Sequence, residues 1–254
     1  TIDKLESIPG YRADLPLDAF REIVSACGCS IISQTPRLCP ADRKLYALRD
    51  VTGTVPSIPL ITASIMSKKL AESLNGLVLD VKCGAGAFMQ TRERGEALAA
   101  ALMAVGRTLG LPVSALLTRM EEPLGRAVGN RPEIAEVVRT LRGQGPGDLV
   151  TVTLALTARM LRLAGRVRTD AEAMPQLQAA LQDGSAEARF REMVRRHGGD
   201  PAFLDDPDAM TARAGAVREV RAPVDGYVAR VDAGAIGRAS LLLGAGRAAT
   251  DDSV

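Results

Sequence analysis

The stretch GLVLDVKCGAGAFM, residues 76–89, sets the fold class of this chain. Its first half is a run of apolar residues bounded by glycine, which is typical of a β-strand buried on both faces. A helical pattern over about 95–109 and a second strand pattern, VSALLTRM at 113–120, follow it. Strands that alternate with helices indicate an α/β fold with at least some parallel pairing.

Upstream, PLDAFREIVSACG at 16–28 has apolar residues at helical spacing and a glycine as its stop signal. CSIISQ at 29–34 is a short β-rich run. Asp42 is suited to cap a short helix that leads to Arg49, and Ser57 to cap a second helix with Pro59 in its first turn.

Downstream, helices are predicted over about 132–141, over 147–164, and as an amphipathic pair within 170–197. The helix at 147–164 is apolar on most sides, which predicts that it is buried. From Val217 the period changes to two, with a turn at Asp225-Gly226, and this predicts the start of a β-rich domain.

Composition narrows the possible functions. The 254 residues are 46% apolar with a net charge of +2, so neither nucleic acid nor a membrane surface is expected as a partner. Since no run of 18 apolar residues and no leader pattern occurs, we expect a cytoplasmic location. The chain begins without methionine and stops just after the strand pattern begins, and we expect it to be part of a longer polypeptide.

The four cysteines, at 27, 29, 39 and 83, do not have the paired C-x-x-C spacing of a zinc site. We interpret them as small apolar residues.

The helix that begins near Ser57 carries a polar pair within an apolar stripe. Ile61, Ser64, Ile65 and Lys68 fall within an arc of about 100°. With Arg49, such a set could hydrogen-bond the exocyclic oxygens and a ring nitrogen of a flat ligand. The alternative from spacing alone is that Lys68 pairs with Glu72, that Ser64 is a cap or faces solvent, and that Arg49 pairs with a nearby carboxylate.

Three further features have a functional and a structural interpretation. Gly84 and Gly86 could cradle a phosphate, although a tight strand-to-helix turn is favoured. Carbonyls of Leu124 and Ala127 with the carboxylate of Glu136 could coordinate a hard cation, although a glutamate in such a place is more often a solvated helix residue. His197, the single histidine, is interpreted as a C-terminal helix cap and not as a general base.

The order of these segments resembles the thymidine and pyrimidine-nucleoside phosphorylases over essentially the whole chain. The matching blocks are TIDKLESIPGY at 1–11, YALRDVTGTVPSIPLITASIMSKKLAE at 46–72, LVLDVKCGAGAFM at 77–89, MEEPLGRAVGNRPEIAE at 120–136 and APVDGYVARVDA at 222–233. The resemblance implies reversible phosphorolysis of thymidine or related pyrimidine nucleosides to the free base and a (deoxy)ribose 1-phosphate.

Carried over by position, the resemblance implies roles for individual residues. Arg49, Ser64 and Lys68 would bind the pyrimidine, with Arg49 and Lys68 as the catalytic cations. The remaining assignments are Tyr46 beside the base, Ile61, Ile65 and Phe88 against the thymine methyl, Thr1 on phosphate, and Leu124, Ala127 and Glu136 on a monovalent cation. No cofactor beyond the co-substrate phosphate is required.

The resemblance also implies an architecture of two lobes and a homodimer formed through the all-α lobe. Residues 1–32 and 75–216 would form an α/β lobe with a mixed sheet, 41–71 part of an all-α lobe, and 217–254 the start of a C-terminal β-rich domain. The family's phosphate loop has no counterpart in this sequence. Two alternatives therefore stay open: a nucleoside 5′-monophosphate phosphorylase, and a non-catalytic remnant that binds a base.

Overall fold

A computed structural model describes residues 2–33, 39–211 and 216–245, with the side chains of Arg43, Ala47, Asp50 and Val51 outside the description. In chain order its elements are α1 (Ile2–Glu6), α2 (Leu17–Cys27), α3 (Pro40–Thr52), α4 (Ile58–Ala71), β1 (Leu77–Cys83), α5 (Arg92–Thr108), β2 (Val113–Arg119), α6 (Asn130–Leu141), α7 (Gly147–Leu163), α8 (Asp170–Gln182), α9 (Ser185–Arg196), a short 3-10 helix (Pro201–Leu204), α10 (Pro207–Thr211) and α11 (Ala233–Leu242).

The described residues fall into two compact units. Unit 1 contains those within Thr1–Ser33, Glu122–Gly147 and Ala180–Val254, and unit 2 contains those within Gln34–Glu121 and Asp148–Ala179. The predicted all-α segment 41–71 thus clusters with β1, α5 and β2 in unit 2. The division into an all-α and an α/β lobe stays a prediction.

Strands β1 and β2 form the sheet of unit 2. They pair in parallel from Leu77 opposite Val113 to Cys83 opposite Arg119. Helix α5 connects the two strands. This helical crossover brings the chain back to the start of the sheet, so β2 runs in the same direction as β1. The α/β class is confirmed, but the expected mixed sheet is not, because the sheet within the described ranges is parallel only.

The core of unit 2 lies between the sheet, α4 and α5. Buried side chains from these elements pack together, among them Met66 on α4, Val81 on β1 and Leu102 on α5. Gly95 and Gly106 let α5 approach the strands, since a methyl group at either position would collide with a side chain of β1 or β2. The sheet therefore fixes α5, and α5 in turn fixes α4.

Unit 1 is built on α6 and α9. Ile8, Val138, Val194 and Leu204 are almost fully buried in its core. Arg142, the residue that follows α6, donates two hydrogen bonds to Glu187 on α9, at 2.9 and 3.0 Å. Hydrogen bonding by Arg142, against the opposing effect of burial, holds the pKa of the Glu187 carboxyl below its usual range, with a further contribution from Arg191.

Two strand predictions are wrong for the described residues. Residues 29–33 form no strand, although Ser33 donates its N–H to the carbonyl of Ala13. Residues 217–232 form no strand either, and α11 follows them, so the β-rich domain is not seen in the described part of the chain. An alternating pattern becomes a strand only when a second strand satisfies its backbone groups.

Helix α7 is less buried than its composition predicts. Only Leu154 and Ala158 are buried on this helix, whereas Met160 is more than half exposed. Apolar residues on several faces cannot all be covered when neighbours pack against one face. Within the described ranges, no helix combines the length and the apolar character that crossing a membrane requires.

A substitution at Gly10 can test how tightly two loops of unit 1 are packed. Its φ is +81°, and a methyl group on it would lie 2.5 Å from the carbonyl oxygen of Gly198. We expect Gly10→Ala to lower the free energy of unfolding by about 3 kcal/mol, because backbone strain and collision add. Urea titration followed by circular dichroism measures this.

Gly28 supplies the matched control for that substitution. Its φ is +80°, but nothing lies within 4 Å of the position that a methyl group would take. Gly28→Ala should therefore cost only the backbone strain, about 1 kcal/mol. Equal losses in the two variants would show that the Gly10–Gly198 contact contributes nothing.

Candidate functional site

Helices α3 and α4 of unit 2 present a group of polar side chains to each other. Asp42, Tyr46 and Arg49 lie at i, i+4 and i+7 on α3, so they share one face. Helix α3 begins at Pro40 and Cys39 precedes it, which makes the prediction of Asp42 as the N-cap wrong. Its carboxylate is instead turned to α4.

Lys68 on α4 is held by two oxygen atoms. Its Nζ donates to Asp42 Oδ2 at 2.5 Å and to Ser64 Oγ at 2.9 Å. Burial raises the pKa of Asp42, but hydrogen bonds from Lys68 and Ser64 outweigh it, and the pKa lies below the usual value. The carboxylate is therefore ionised at neutral pH.

The structural alternative for this stripe is wrong. The lysine that pairs with Glu72 is Lys69, whose Nζ lies 3.0 Å from both carboxylate oxygens, and not Lys68. Ser64 is buried and does not face solvent. The polar pair on α4 is thus directed inward, as a binding function requires.

Arg49 is buried beside the same group, with 6% of its surface exposed. It donates to the carbonyls of Val55, at 2.5 Å, and Leu60, at 3.3 Å. These bonds fix the loop that leads into α4. Among the residues that the structure describes, its buried Nε has no hydrogen-bond partner. An unsatisfied buried donor is costly unless another group completes it.

Tyr46 joins the two cations. Arg49 Cζ lies 5.2 Å and Lys68 Nζ 6.0 Å from the centroid of its ring, distances at which a cation and an aromatic face attract. The ring is 43% exposed. Arg49, Ser64, Lys68 and Tyr46 therefore form one site, named here the α3–α4 site, with Asp42 as a fifth member.

The three residues predicted to contact the thymine methyl differ in their exposure to solvent. Ile61 and Ile65 are half-buried and pack against the core of unit 2. Phe88, in the turn after β1, is 64% exposed. Within the described ranges no ring contact joins Phe88 to Tyr46, so its role beside a base stays a prediction.

The glycines at 84 and 86 form a tight turn, as favoured. Gly86 donates its N–H to the carbonyl of Met120 at 2.9 Å, and Ala85 donates to the carboxylate of Glu121 at 3.1 Å. A cavity of about 620 Å³ next to this turn is lined by two arginines and two glutamates. Because a carboxylate already takes the Ala85 N–H, the turn is not a ready phosphate cradle.

The predicted cation residues lie together in unit 1. Glu136 is buried, and its Oε1 accepts the backbone N–H groups of Arg126, at 2.8 Å, and Ala127, at 3.1 Å. Gly125 packs directly on the other carboxylate oxygen, since a methyl group there would collide with Oε2. The loop 124–127 is thus wrapped around this carboxylate, whose second oxygen faces the loop.

His197 ends α9, as predicted, but its ring has other partners. It is 1% exposed and stacks on Tyr11 with ring centroids 4.5 Å apart. Its Nδ1 lies 2.8 Å from the carbonyl oxygen of Arg12, and its Nε2 lies 2.9 Å from Ser30 Oγ. Because a carbonyl only accepts, Nδ1 carries a proton, and the ring links three segments of unit 1.

Thr1, predicted on phosphate, lies outside the described residues.

Asp42 is the member of the α3–α4 site that sequence reasoning assigned wrongly, as a helix cap. A signal was present, because its spacing to Tyr46 and Arg49 places all three on one helical face. The sequence pattern does not show that α3 packs against α4. This packing brings Asp42 into contact with Lys68, which lies 26 positions further along the chain.

Comparison with known proteins identifies the family of this chain. A family model described as "Glycosyl transferase family, a/b domain" matches residues 1–187. The chain belongs to this family.

Individual members of the family match over the whole chain. The pyrimidine-nucleoside phosphorylases of Staphylococcus haemolyticus (strain JCSC1435) and Bacillus subtilis (strain 168) are each 44% identical over 254 residues, and that of Geobacillus stearothermophilus is 43% identical. The chain spans 58% of the length of each. The resemblance stated from the motifs is therefore confirmed.

The Asp42–Lys68 pair should make stability depend on pH in a defined direction. The folded-state pKa of Asp42 is lowered, so its contribution is complete above its ordinary pKa of about 4 and is lost as the pH falls below that value. We expect Asp42→Asn to lose about 1–2 kcal/mol of unfolding free energy at pH 7 and less at pH 3.

Urea titrations of wild type and variant at pH 7, 5, 4 and 3 measure this difference. The control is Asp18→Asn, since Asp18 is an exposed carboxylate on α2, and its difference should stay near zero. A loss for Asp42→Asn that is the same at every pH would contradict the ion-pair interpretation.

Proposed function

We propose that this chain belongs to an enzyme that catalyses reversible phosphorolysis of thymidine or related pyrimidine nucleosides. The products are the free base and the (deoxy)ribose 1-phosphate. The observation that carries the proposal is the α3–α4 site, where Arg49, Ser64 and Lys68 meet beside one aromatic ring and a buried Arg49 donor is unsatisfied. The names of the relatives support the same reaction.

The site suits the difficult part of this reaction. Phosphate attacks the anomeric carbon, the glycosidic bond breaks, and its electron pair leaves with the pyrimidine. Arg49 and Lys68 would stabilise the negative charge on the departing ring more strongly than they bind the neutral nucleoside, which is the requirement for catalysis. Both cations are already held in place by protein oxygen atoms, so little reorganisation is needed.

The proposed reaction also needs a binding site for phosphate. Thr1 is proposed as one phosphate ligand, from its position in the resemblance. Placement of phosphate next to the anomeric carbon would supply the main contribution of this binding site, because a bound nucleophile reacts as if at high local concentration.

We propose a homodimer formed through α3 and α4 and a cytoplasmic location. Leu45 and Leu48 on α3 and Leu60 on α4 are large exposed apolar side chains, which supports a contact with a second protein surface. The four cysteines are free thiols, which fits a reducing compartment.

The two alternatives predict different results. A nucleoside 5′-monophosphate phosphorylase would act on the 5′-phosphorylated substrate and poorly on the nucleoside. A remnant without phosphate chemistry would bind a pyrimidine base and release none from a nucleoside. The names of the relatives favour the nucleoside as substrate.

Incubation of the full-length enzyme that contains this chain with thymidine or uridine and phosphate tests the proposal. We expect free base to appear, and Lys68→Ala and Arg49→Ala to reduce its rate by a factor of about 10², the equivalent of about 3 kcal/mol of transition-state stabilisation. Chromatographic measurement of thymine and uracil gives the rate.

Lys69→Ala is the matched control, because Lys69 is the next residue on α4 and pairs with Glu72 on the surface. Its rate should equal that of wild type. Release of base only from the nucleoside 5′-monophosphates, or no release from any substrate, would contradict the proposal.

We also propose that Leu124 and Ala127 carbonyls and the Glu136 carboxylate bind a monovalent cation. Oxygen donors of this kind suit hard cations. We expect potassium chloride at about 100 mM to raise the free energy of unfolding by about 1 kcal/mol over choline chloride. In Glu136→Gln, whose amide oxygen can still accept the two loop N–H groups, the difference between the salts should vanish. Equal stabilisation by both salts in wild type would contradict this site.

A further inference from the structure

The turn between α4 and β1 contains the dipeptide Asn75-Gly76, which has no part in the proposed reaction. Asn75 is exposed to solvent. Among the described residues, its side chain has no hydrogen-bond partner and the N–H of Gly76 donates to no acceptor. The side-chain amide of Asn75 and the main-chain nitrogen that follows it are thus both available for a reaction with each other.

The second residue of the dipeptide leaves this nitrogen uncovered. A glycine has no Cβ, so no side chain shields the N–H of Gly76 from the amide carbon of Asn75. A methyl group on Gly76 would lie 3.6 Å from Leu163 Cβ and 3.9 Å from the carbonyl oxygen of Pro112, which are ordinary contact distances. The packing of unit 2 therefore does not require a glycine at this position.

The residues on both sides of the dipeptide are held in place. Leu74 packs against the core of unit 2, and Leu77, the first residue of β1, is buried. Leu77 donates its N–H to the carbonyl of Pro112 at 2.9 Å, next to the first pair of β1 and β2. Only Asn75 and Gly76 can therefore absorb a change in the length of the main chain at this place.

We propose that Asn75 is a site of spontaneous deamidation and that the isoaspartate formed there disturbs the start of β1. The nitrogen of Gly76 forms a bond to Cγ of Asn75, the bond between Cγ and Nδ2 breaks, and ammonia leaves with the proton of the Gly76 N–H. The product is a five-membered succinimide ring. The inference goes beyond the proposed function, because the modification needs solvent water and no substrate.

Water opens the succinimide ring in one of two ways. Cleavage between the nitrogen and Cγ gives aspartate with a normal main chain. Cleavage between the nitrogen and the main-chain carbonyl carbon of residue 75 gives isoaspartate, whose main chain runs through Cγ and is longer by one methylene group. Both products replace a neutral amide with a carboxylate, so each removes one unit from the net charge of +2.

The longer main chain conflicts with the contacts on either side of it. Because Leu74 and Leu77 are held, the added methylene group must displace one of them or break the hydrogen bond from Leu77 to Pro112. Strand pairing depends on register, since a shifted strand moves its side chains away from their partners. Isoaspartate at position 75 therefore weakens the start of β1, whereas aspartate at the same position does not.

The first test measures the modification in the full-length enzyme that contains this chain. The enzyme is incubated at pH 8 and 37 °C and digested with trypsin, and mass spectrometry follows the peptide of residues 70–82. We expect Asn75 in the native enzyme to deamidate at a rate within about tenfold of the rate in the synthetic 70–82 peptide. A native rate more than tenfold below that of the peptide would overturn the inference, because the fold would then protect this turn.

The chain supplies two matched controls for the first test. Its other asparagine, Asn130, begins α6 and precedes Arg131, whose side chain hinders attack by its nitrogen, so Asn130 should deamidate at least about tenfold more slowly. Gly76→Ala should slow the reaction at Asn75 to a similar extent, for the same steric reason, and its methyl group fits the fold. An unchanged rate in Gly76→Ala would contradict the succinimide route.

The second test measures the consequence for β1. Isoaspartate in the incubated enzyme is quantified by enzymatic methylation, and the isoaspartate form is separated by chromatography and unfolded with urea. We expect it to unfold at a lower urea concentration than fresh enzyme and to exchange the amide hydrogens of β1 faster. Asn75→Asp carries the charge without the added methylene group, and it should unfold near the wild-type concentration, since exposed substitutions change stability little.

Gly76→Ala that has been incubated in the same way controls for damage elsewhere in the enzyme, and its urea midpoint should not change. Equal midpoints and equal exchange of the β1 amides in the isoaspartate form and in Asn75→Asp would overturn the effect on the strand. Neither test uses a nucleoside or phosphate, so a negative result leaves the proposed function standing.

Discussion

The α3–α4 site depends on keeping a buried guanidinium and a half-buried ammonium next to one aromatic ring. Two like charges in a poorly solvated place repel each other and lose hydration, so they need fixed oxygen partners. Arg49 takes the carbonyls of Val55 and Leu60, and Lys68 takes the carboxylate of Asp42. The two bonds donated by Arg49 also hold the loop between the helices.

This constraint gives the site its chemical character. An ordinary surface ion pair changes the stability of the fold little. A cation that is already fixed before a reaction has a different effect, because it stabilises the negative charge of the transition state and does not need to move. The unpartnered Nε of Arg49 is consistent with a site that is completed by a ligand. The carboxylate of Asp42 limits the positive charge of the site and holds the ammonium of Lys68.

Local pattern predicted most elements of the fold correctly. Strands β1 and β2 and helices α2, α4, α5 and α6 follow from apolar periodicity and from glycine or proline at their ends. The wrong predictions concern segments whose structure or burial depends on a second segment of the chain. Residues 217–232 alternate as a strand does, yet they form none because no strand pairs with them within the described ranges. Helix α7 is apolar on several faces, but only part of it is covered.

By itself the sequence determined the family and most helix faces, because long motifs and apolar periodicity are local properties. It also singled out Arg49, Ser64 and Lys68 as a set, and these residues lie together in the α3–α4 site. It did not determine their partners. Asp42 was assigned to a helix end, and the ring of His197 was not connected to Arg12 and Ser30, which are 185 and 167 positions away. Only the packing of distant segments decides which acceptor a buried donor meets, since hydrogen bonds act over about 3 Å and the sequence carries no distances of that kind.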